Sequence, residues 1–155
     1  GVEAFLPTLL TRPQASLVNL SSIFGIIGVP SQSAYNASKF AVRGYSEAMR
    51  QELADSPVQV LTVHPGGVKT NIVRHGRHYN DTDGSATDME TMAAQFEGMA
   101  RTTADSAATQ IINAIETQQC RLLIGADARL MDRLQRVFPS GYERVLSRLL
   151  KLVKR

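Results

Sequence analysis

The pattern that most constrains the fold is a strand, a long helix and a second strand in succession. The apolar run from Ser16 to Leu20 is short enough for a buried strand, and apolar and small residues recur at helical spacing from Ser33 to about Ala54. Ser56-Pro57 ends that helix, and the β-branched run 58–63 predicts a second strand. A unit of this kind implies parallel pairing and a right-handed crossover. We therefore predict an α/β fold with a doubly wound parallel sheet and flanking helices.

Candidate functional residues follow the ends of both predicted strands. Ser22 comes just after the first strand, and Pro65-Gly66 follows the second. Ligands of open parallel sheets bind beyond the carboxyl ends of the strands, so both segments point to the same edge. Tyr35 and Lys39 open the intervening helix, where side chains four residues apart lie on one face. A hydroxyl, a phenol and an ammonium brought together in this way predict a proton-transfer site.

These segments resemble the short-chain dehydrogenase/reductase family. A tyrosine and a lysine four residues apart occur often by chance, but here a serine lies thirteen residues before the tyrosine and a Pro-Gly-x-Val-x-Thr segment begins thirty residues after it. Coincidence of all three features is rare. The matching segments are Val18-Asn19-Leu20-Ser21-Ser22, Gly25, Tyr35-Asn36-Ala37-Ser38-Lys39-Phe40-Ala41-Val42 and Pro65-Gly66-Gly67-Val68-Lys69-Thr70.

The resemblance implies an NAD(P)-dependent oxidoreductase that interconverts a carbonyl and an alcohol. Tyr35 would be the general acid/base: a free phenol titrates at about pH 10, and a nearby ammonium, here that of Lys39, stabilises the phenolate. Lys39 would also bind the nicotinamide ribose, and Ser22 would hold the substrate oxygen toward Tyr35. The residues that would contact NAD or NADP are Tyr35, Lys39, Pro65, Gly66, Val68 and Thr70.

The motifs present are those of the second half of a family member. The glycine-rich turn Thr-Gly-x-x-x-Gly-x-Gly, which binds the cofactor pyrophosphate at a helix start, does not occur in the sequence. Neither does Asn-Asn-Ala-Gly, and Gly1 to Leu10 is typical of the end of a helix. We therefore expect one partial domain over residues 1–155, the C-terminal part of a Rossmann-type sheet without its N-terminal half. Such a fragment would be inactive alone, and its preference for NAD or NADP stays open.

Two segments are expected outside the sheet. A polar stretch from His75 to Asp88 and a methionine-bearing helix from Met89 to Ala100 fall in the region of the family's substrate lid, residues 71–103. The thioethers of these methionines would suit an apolar wall of the substrate site or, equally well, the core of the domain. After a helix to Thr117 and a strand at 121–124, residues 127–155 form a basic helical tail with eight Arg/Lys against three Asp/Glu. Such a tail is usually the solvated face of a helix, and attachment to a membrane surface is the alternative.

The composition excludes several other classes of protein. Hydrophobic residues make up 43% and charged residues 20% of the chain, as in ordinary globular domains. The single cysteine, Cys120, cannot form an internal disulfide and is compatible with a cytoplasmic location. His64, His75 and His78 lack paired metal-ligand spacing, and the aspartates near Asp81 do not match a calcium loop, so no metal site is predicted. No nucleic-acid motif occurs.

Two functional alternatives remain open at this point. A hydrolase could use Ser22 with a lysine, but Ser22 lacks the Gly-x-Ser-x-Gly frame of a nucleophile elbow. A non-catalytic interaction module could retain the half-fold without the cofactor site. Helices 33–54 and 105–117 match the surfaces by which family members assemble, so a homo-oligomer is expected. For the enzyme, the expected partner is a small, apolar carbonyl or alcohol substrate.

Overall fold

The computed structural model describes residues 1–76 and 88–153, with the side chains of Met89 and of residues 149–153 left aside. A short 3-10 turn at Ile23–Gly25 follows the first strand. The chain runs through α1 (Val2–Leu10), β1 (Ala15–Leu20), α2 (Ser33–Glu52), β2 (Val58–Pro65), β3 (Val68–Lys69), α3 (Met89–Met99), β4 (Thr102–Thr103), α4 (Ala104–Glu116), β5 (Arg121–Ile124), α5 (Ala126–Val137) and α6 (Tyr142–Val153).

Three parallel strands form the main sheet in the order β1-β2-β5. Leu20 pairs with Val63 at the end of β1, and Pro65 pairs with Ile124 at the end of β5. The central strand β2 is almost entirely buried, which accounts for its many β-branched and apolar residues. The predicted strand–helix–strand unit with parallel pairing is confirmed.

Helices cover both faces of this sheet. Asn19 Nδ2 donates to Ser46 Oγ at 2.9 Å, so α2 packs on one face. Alternate side chains of a strand point to opposite faces, and Leu61 and Val63 accordingly pack against Ala114 of α4 on the other. This arrangement confirms an α/β fold of the Rossmann type.

The predicted basic tail is partly built into the core. Tyr142 and Leu146 of α6 pack with Ile26 and Ile27, which are buried in the loop after β1. The Tyr142 hydroxyl also accepts a hydrogen bond from the Gly28 amide at 2.9 Å. The amphipathic pattern of α6 therefore reflects packing against the same loop that leads from Ser22 to Tyr35.

Some features differ from the sequence-based boundaries. The sequence pattern predicts the first helix of the basic tail from Ala128, whereas α5 begins at Ala126, and the short parallel pair β3–β4 was not predicted. Most of the predicted loop from His75 to Asp88, including His78 and Asp81, lies outside the described residues. The adjoining segment is held by Arg74, whose guanidinium pairs with Glu90 and Glu97 of α3.

Membrane-spanning helices and clusters of metal-ligand side chains are both absent from the described residues. Within residues 1–76 and 88–153, no helix is both long enough and apolar enough to cross a bilayer. In the same residues, no three side chains among His, Cys, Asp and Glu gather where they could hold a metal ion.

Candidate active site

The two serines at the end of β1 have different partners. The Ser21 amide continues the strand ladder to the Val63 carbonyl, and Ser21 Oγ donates to the Lys39 carbonyl at 2.8 Å. Ser22 Oγ instead accepts the Phe24 amide at 3.1 Å and caps the 3-10 turn. The Ser21 side chain thus links β1 to α2. The Ser22 hydroxyl accepts a hydrogen bond in its cap, so its own proton is not used there. This difference agrees with the choice of Ser22 as the candidate site residue.

Gly25 allows the loop after Ser22 to approach α2. A Cβ atom at Gly25 would lie 2.6 Å from the Lys39 carbonyl oxygen and would overlap Ser21 Oγ. No side chain fits in that space, so glycine is required for the hydrogen bond between Ser21 and Lys39.

Tyr35 and Lys39 lie at the start of α2, next to the end of β1. The Tyr35 ring packs edge-on against Phe24 with centroids 5.9 Å apart, and 37% of the residue is exposed. Lys39 Nζ lies over the same ring, 5.5 Å from its centroid, and donates to the Leu20 carbonyl at 3.1 Å. Phe24 belongs to the turn that Ser22 caps. The structure therefore brings all three predicted residues, Ser22, Tyr35 and Lys39, to the carboxyl end of β1.

The predicted cofactor segment leaves the neighbouring strand at the same edge of the sheet. The Gly66 amide donates to the Ile124 carbonyl at 2.9 Å, and the Gly67 amide donates to Asp127 Oδ2 at 2.6 Å. Beyond this turn, Val68 pairs with Thr102 in the small β3–β4 sheet. Thr70 follows as an exposed residue.

His64 also lies at this edge of the sheet, and its sequence spacing had been weighed only for a metal site. It is fully buried, and its Nδ1 lies 3.1 Å from the Ser22 carbonyl oxygen. Because a carbonyl can only accept, Nδ1 carries the proton. The other ring nitrogen, Nε2, is buried with no hydrogen-bond partner in the described part of the chain. The sequence signal that could have identified this residue is a histidine inside a predicted buried strand, just before Pro65.

Burial dominates the ionisation of His64. It lowers the pKa of His64, because the imidazolium is disfavoured away from water, and the hydrogen bond to the Ser22 carbonyl acts in the opposite direction. Arg121 and Arg43 lower the pKa further. The folded protein therefore holds this ring neutral at pH values where an unfolded chain would protonate it.

This difference predicts that stability depends on pH through His64. An unfolded histidine titrates at about pH 6.5. Below that value the unfolded state binds more protons than the native state, so the contribution of neutral His64 is present above it and is lost as the pH falls toward the lowered native pKa. Urea denaturation between pH 7.5 and pH 5.5 should show a shallower loss of unfolding free energy in His64→Asn than in the wild type.

The control for this experiment is His75→Asn, because His75 is exposed. It should reproduce the wild-type dependence of stability on pH. Parallel pH profiles for the wild type and His64→Asn would contradict the prediction.

The fold and these residues define a member of a known family. The sequence model of the short chain dehydrogenase family matches residues 1–81, and the chain belongs to that family. Among curated proteins, "Putative oxidoreductase SadH" of Mycobacterium tuberculosis is 43% identical over 150 residues, which cover 95% of this chain and 52% of that protein. The chain thus spans about half the length of the curated relatives it matches.

Solved structures agree with the family assignment. A short-chain dehydrogenase/reductase of Burkholderia phymatum, crystallised in complex with NAD, superposes with a TM-score of 0.70 at 26% identity, covering 89% of this chain and 53% of the other. A short-chain dehydrogenase of Streptomyces avermitilis gives 0.67 at 29% identity, covering 95% and 56%. The family prediction made from the motifs is confirmed.

Proposed function

We propose that Ser22, Tyr35 and Lys39 are the proton-transfer residues of an NAD(P)-dependent oxidoreductase that interconverts a carbonyl and an alcohol. The observation that carries the proposal is the position of the Lys39 ammonium over the Tyr35 ring, beside the turn that Ser22 caps. Family membership supports the same reaction class. A cation near a phenol stabilises the phenolate, the form in which the phenol acts as a base.

Tyr35 and Ser22 have different tasks in this reaction. In reduction, the Tyr35 hydroxyl gives its proton to the substrate carbonyl oxygen; in oxidation, the Tyr35 phenolate removes the proton of the alcohol. Ser22 Oγ accepts the Phe24 amide, and its own proton then serves the substrate oxygen. The nicotinamide cofactor, when bound, supplies or accepts the hydride at the substrate carbon.

The residues present fit the nicotinamide end of NAD or NADP. An ammonium has three donors, and the Leu20 carbonyl takes one from Lys39, so others can serve the ribose hydroxyls. After Pro65, the turn at Gly66-Gly67 presents backbone without a side chain, and Val68 and the exposed Thr70 follow it. The structure with NAD belongs to a related protein, which supports the same class of cofactor here.

The pyrophosphate end of the cofactor lacks its usual partner in these 155 residues. The glycine-rich turn of the family does not occur in the sequence, and the chain spans about half of its curated relatives. We therefore propose that these residues form the catalytic, C-terminal part of a Rossmann-type enzyme. The adenosine half of the cofactor would be held by the other part.

The proposed substrate has an apolar body, and two exposed apolar residues of the region predicted as the substrate lid are its proposed contacts. Ile72 and Met99 are strongly exposed, and Arg74 ties the segment of Ile72 to α3, the helix of Met99, through Glu90 and Glu97. The flexible thioether of Met99 would suit a small carbonyl or alcohol compound with an apolar body.

The first test replaces the proposed acid/base in the intact protein, meaning the longer enzyme of which these 155 residues are the proposed catalytic part. Tyr35→Phe should lower turnover by about 10²–10⁴-fold, the usual contribution of a positioned acid or base, because the ring stays and only the ionisable hydroxyl is lost. NADH or NADPH binding, followed by fluorescence, should change little. Oxidation of NAD(P)H with a panel of apolar aldehydes and ketones measures the turnover.

Tyr45→Phe is the matched control, since Tyr45 is an exposed tyrosine of the same helix. It should keep wild-type turnover. Activity near the wild-type level in Tyr35→Phe would refute the assignment.

A second test concerns the division of the cofactor site. The purified 155-residue chain should show no dinucleotide-dependent turnover with the same substrates, because it lacks a glycine-rich pyrophosphate site. Robust NAD(P)H oxidation by this chain alone would overturn the proposal that it is only the catalytic part.

The proposed enzyme is also a homo-oligomer. Phe5 of α1 and Phe40 of α2 are large aromatic side chains left exposed, and both helices pack against β1. Exposed aromatic residues are enriched in protein interfaces.

The oligomer can be tested by sedimentation of the intact protein. The double variant Phe5→Ser/Phe40→Ser should shift the species toward the monomer, because it removes apolar contact area. Phe138→Ser, at an exposed phenylalanine after α5, is the control and should leave the distribution unchanged. An unaltered distribution in the double variant would rule out an interface through these residues.

A further inference from the structure

The turn that carries the proposed cofactor contacts is fastened to one carboxylate. Asp127, in the first turn of α5, accepts the Gly67 amide through Oδ2 at 2.6 Å. A hydrogen bond from an amide to a carboxylate is shorter and stronger than one to a neutral acceptor. Since the preceding amide, that of Gly66, donates to Ile124, two successive amides of the turn bind the β5–α5 junction.

Glycines on both sides leave room for this carboxylate. A Cβ atom at Gly66, or at Gly125, would overlap the Asp127 side chain. Gly125 also has φ +97°, a conformation that favours glycine. The two glycines come from segments 59 residues apart in the sequence, and both make space for the same group. Both glycines therefore leave space for the Asp127 carboxylate beside the turn.

The helix that presents Asp127 is itself fixed to the sheet. Ala128 is fully buried, and Asp132 of the same helix pairs with Arg121 of β5 at 2.7 Å. The Asp127 side chain, by contrast, lies at the surface. Its loss would open no cavity, so the consequence of removing it is the loss of its hydrogen bond.

We propose that Asp127 is a positioning residue for the nicotinamide end of the cofactor. It holds Gly67, and so sets the direction in which the chain continues to Val68 and Thr70. The inference rests on the proposed function, in which Val68 and Thr70 contact the nicotinamide. Asp127 itself need not touch the cofactor.

The experiment compares Asp127→Ala with Asp127→Asn in the intact protein. The asparagine keeps an oxygen that can accept the Gly67 amide, and the alanine does not. Without cofactor, amide hydrogen exchange of residues 66–70 should be about 10-fold faster in Asp127→Ala, the equivalent of one such hydrogen bond. Asp127→Asn should restore most of the protection.

Binding gives a second readout that general loosening of the structure would not produce. Asp127→Ala should weaken NADH or NADPH binding by about 10-fold, as expected for loss of a positioned contact. ADP-ribose, or its 2′-phosphate for an NADP enzyme, has no nicotinamide and should bind as it does to the wild type. Asp105→Ala, at an exposed acid in the first turn of α4, is the matched control and should alter neither readout.

The outcomes separate this inference from the proposed function. Wild-type exchange and binding in Asp127→Ala, or equal weakening of dinucleotide and ADP-ribose, would overturn the role of Asp127. A wild-type protein that binds no dinucleotide would overturn the proposed function, and with it the role of Asp127 toward the cofactor. The exchange comparison would still decide whether Asp127 holds the turn.

Discussion

The parallel pairing of β1 with β2 is the constraint on which the candidate site depends. The last ladder bond, from the Ser21 amide to the Val63 carbonyl, fixes where β1 ends and the loop to α2 begins. Since successive side chains of a strand alternate between faces, a shift of one residue would exchange the environments of Ser21 and Ser22. Such a shift is disfavoured, because it would turn side chains that now face the core to the opposite face of the sheet. Register and site geometry are thus set together.

Lys39 shows how closely the site is joined to the architecture. Its backbone carbonyl accepts Ser21 Oγ, and its ammonium donates to the Leu20 carbonyl, so both ends of the residue are tied to the end of β1. The same ammonium lies over the Tyr35 ring. The contacts that attach α2 to the sheet are therefore the contacts that orient the proposed acid/base. A substitution at Lys39 would disturb packing and chemistry at once, and this makes Tyr35, whose hydroxyl can be removed alone, the cleaner probe.

The sequence predicted features that depend on near neighbours and missed those that depend on distant ones. Periodicity located β1, α2 and β2, and the spacing of Ser22, Tyr35 and Lys39 suggested that they meet. No local pattern could show that His64 would contact the Ser22 carbonyl, or that Asp127 would accept an amide 60 residues earlier in the chain. The basic tail was likewise interpreted as the solvated face of a helix, and its sequence did not show that Tyr142 and Leu146 would pack against the loop after β1. These partners lie far apart in the sequence, and only the folded arrangement of strands and helices brings them together.

The end of β2 contacts both parts of the proposed site. Here the chain bonds alternately to its two neighbours: His64 faces the Ser22 carbonyl on the β1 side, and the amides of Gly66 and Gly67 donate to the β5 side. Only Pro65, which is half-buried, lies between His64 and Gly66. The proposed proton-transfer residues depend on the first set of contacts, and the proposed nicotinamide contacts depend on the second. The end of this one strand therefore contacts both the loop of the proposed proton-transfer residue Ser22 and the turn of the proposed nicotinamide contacts, although the two lie on different loops.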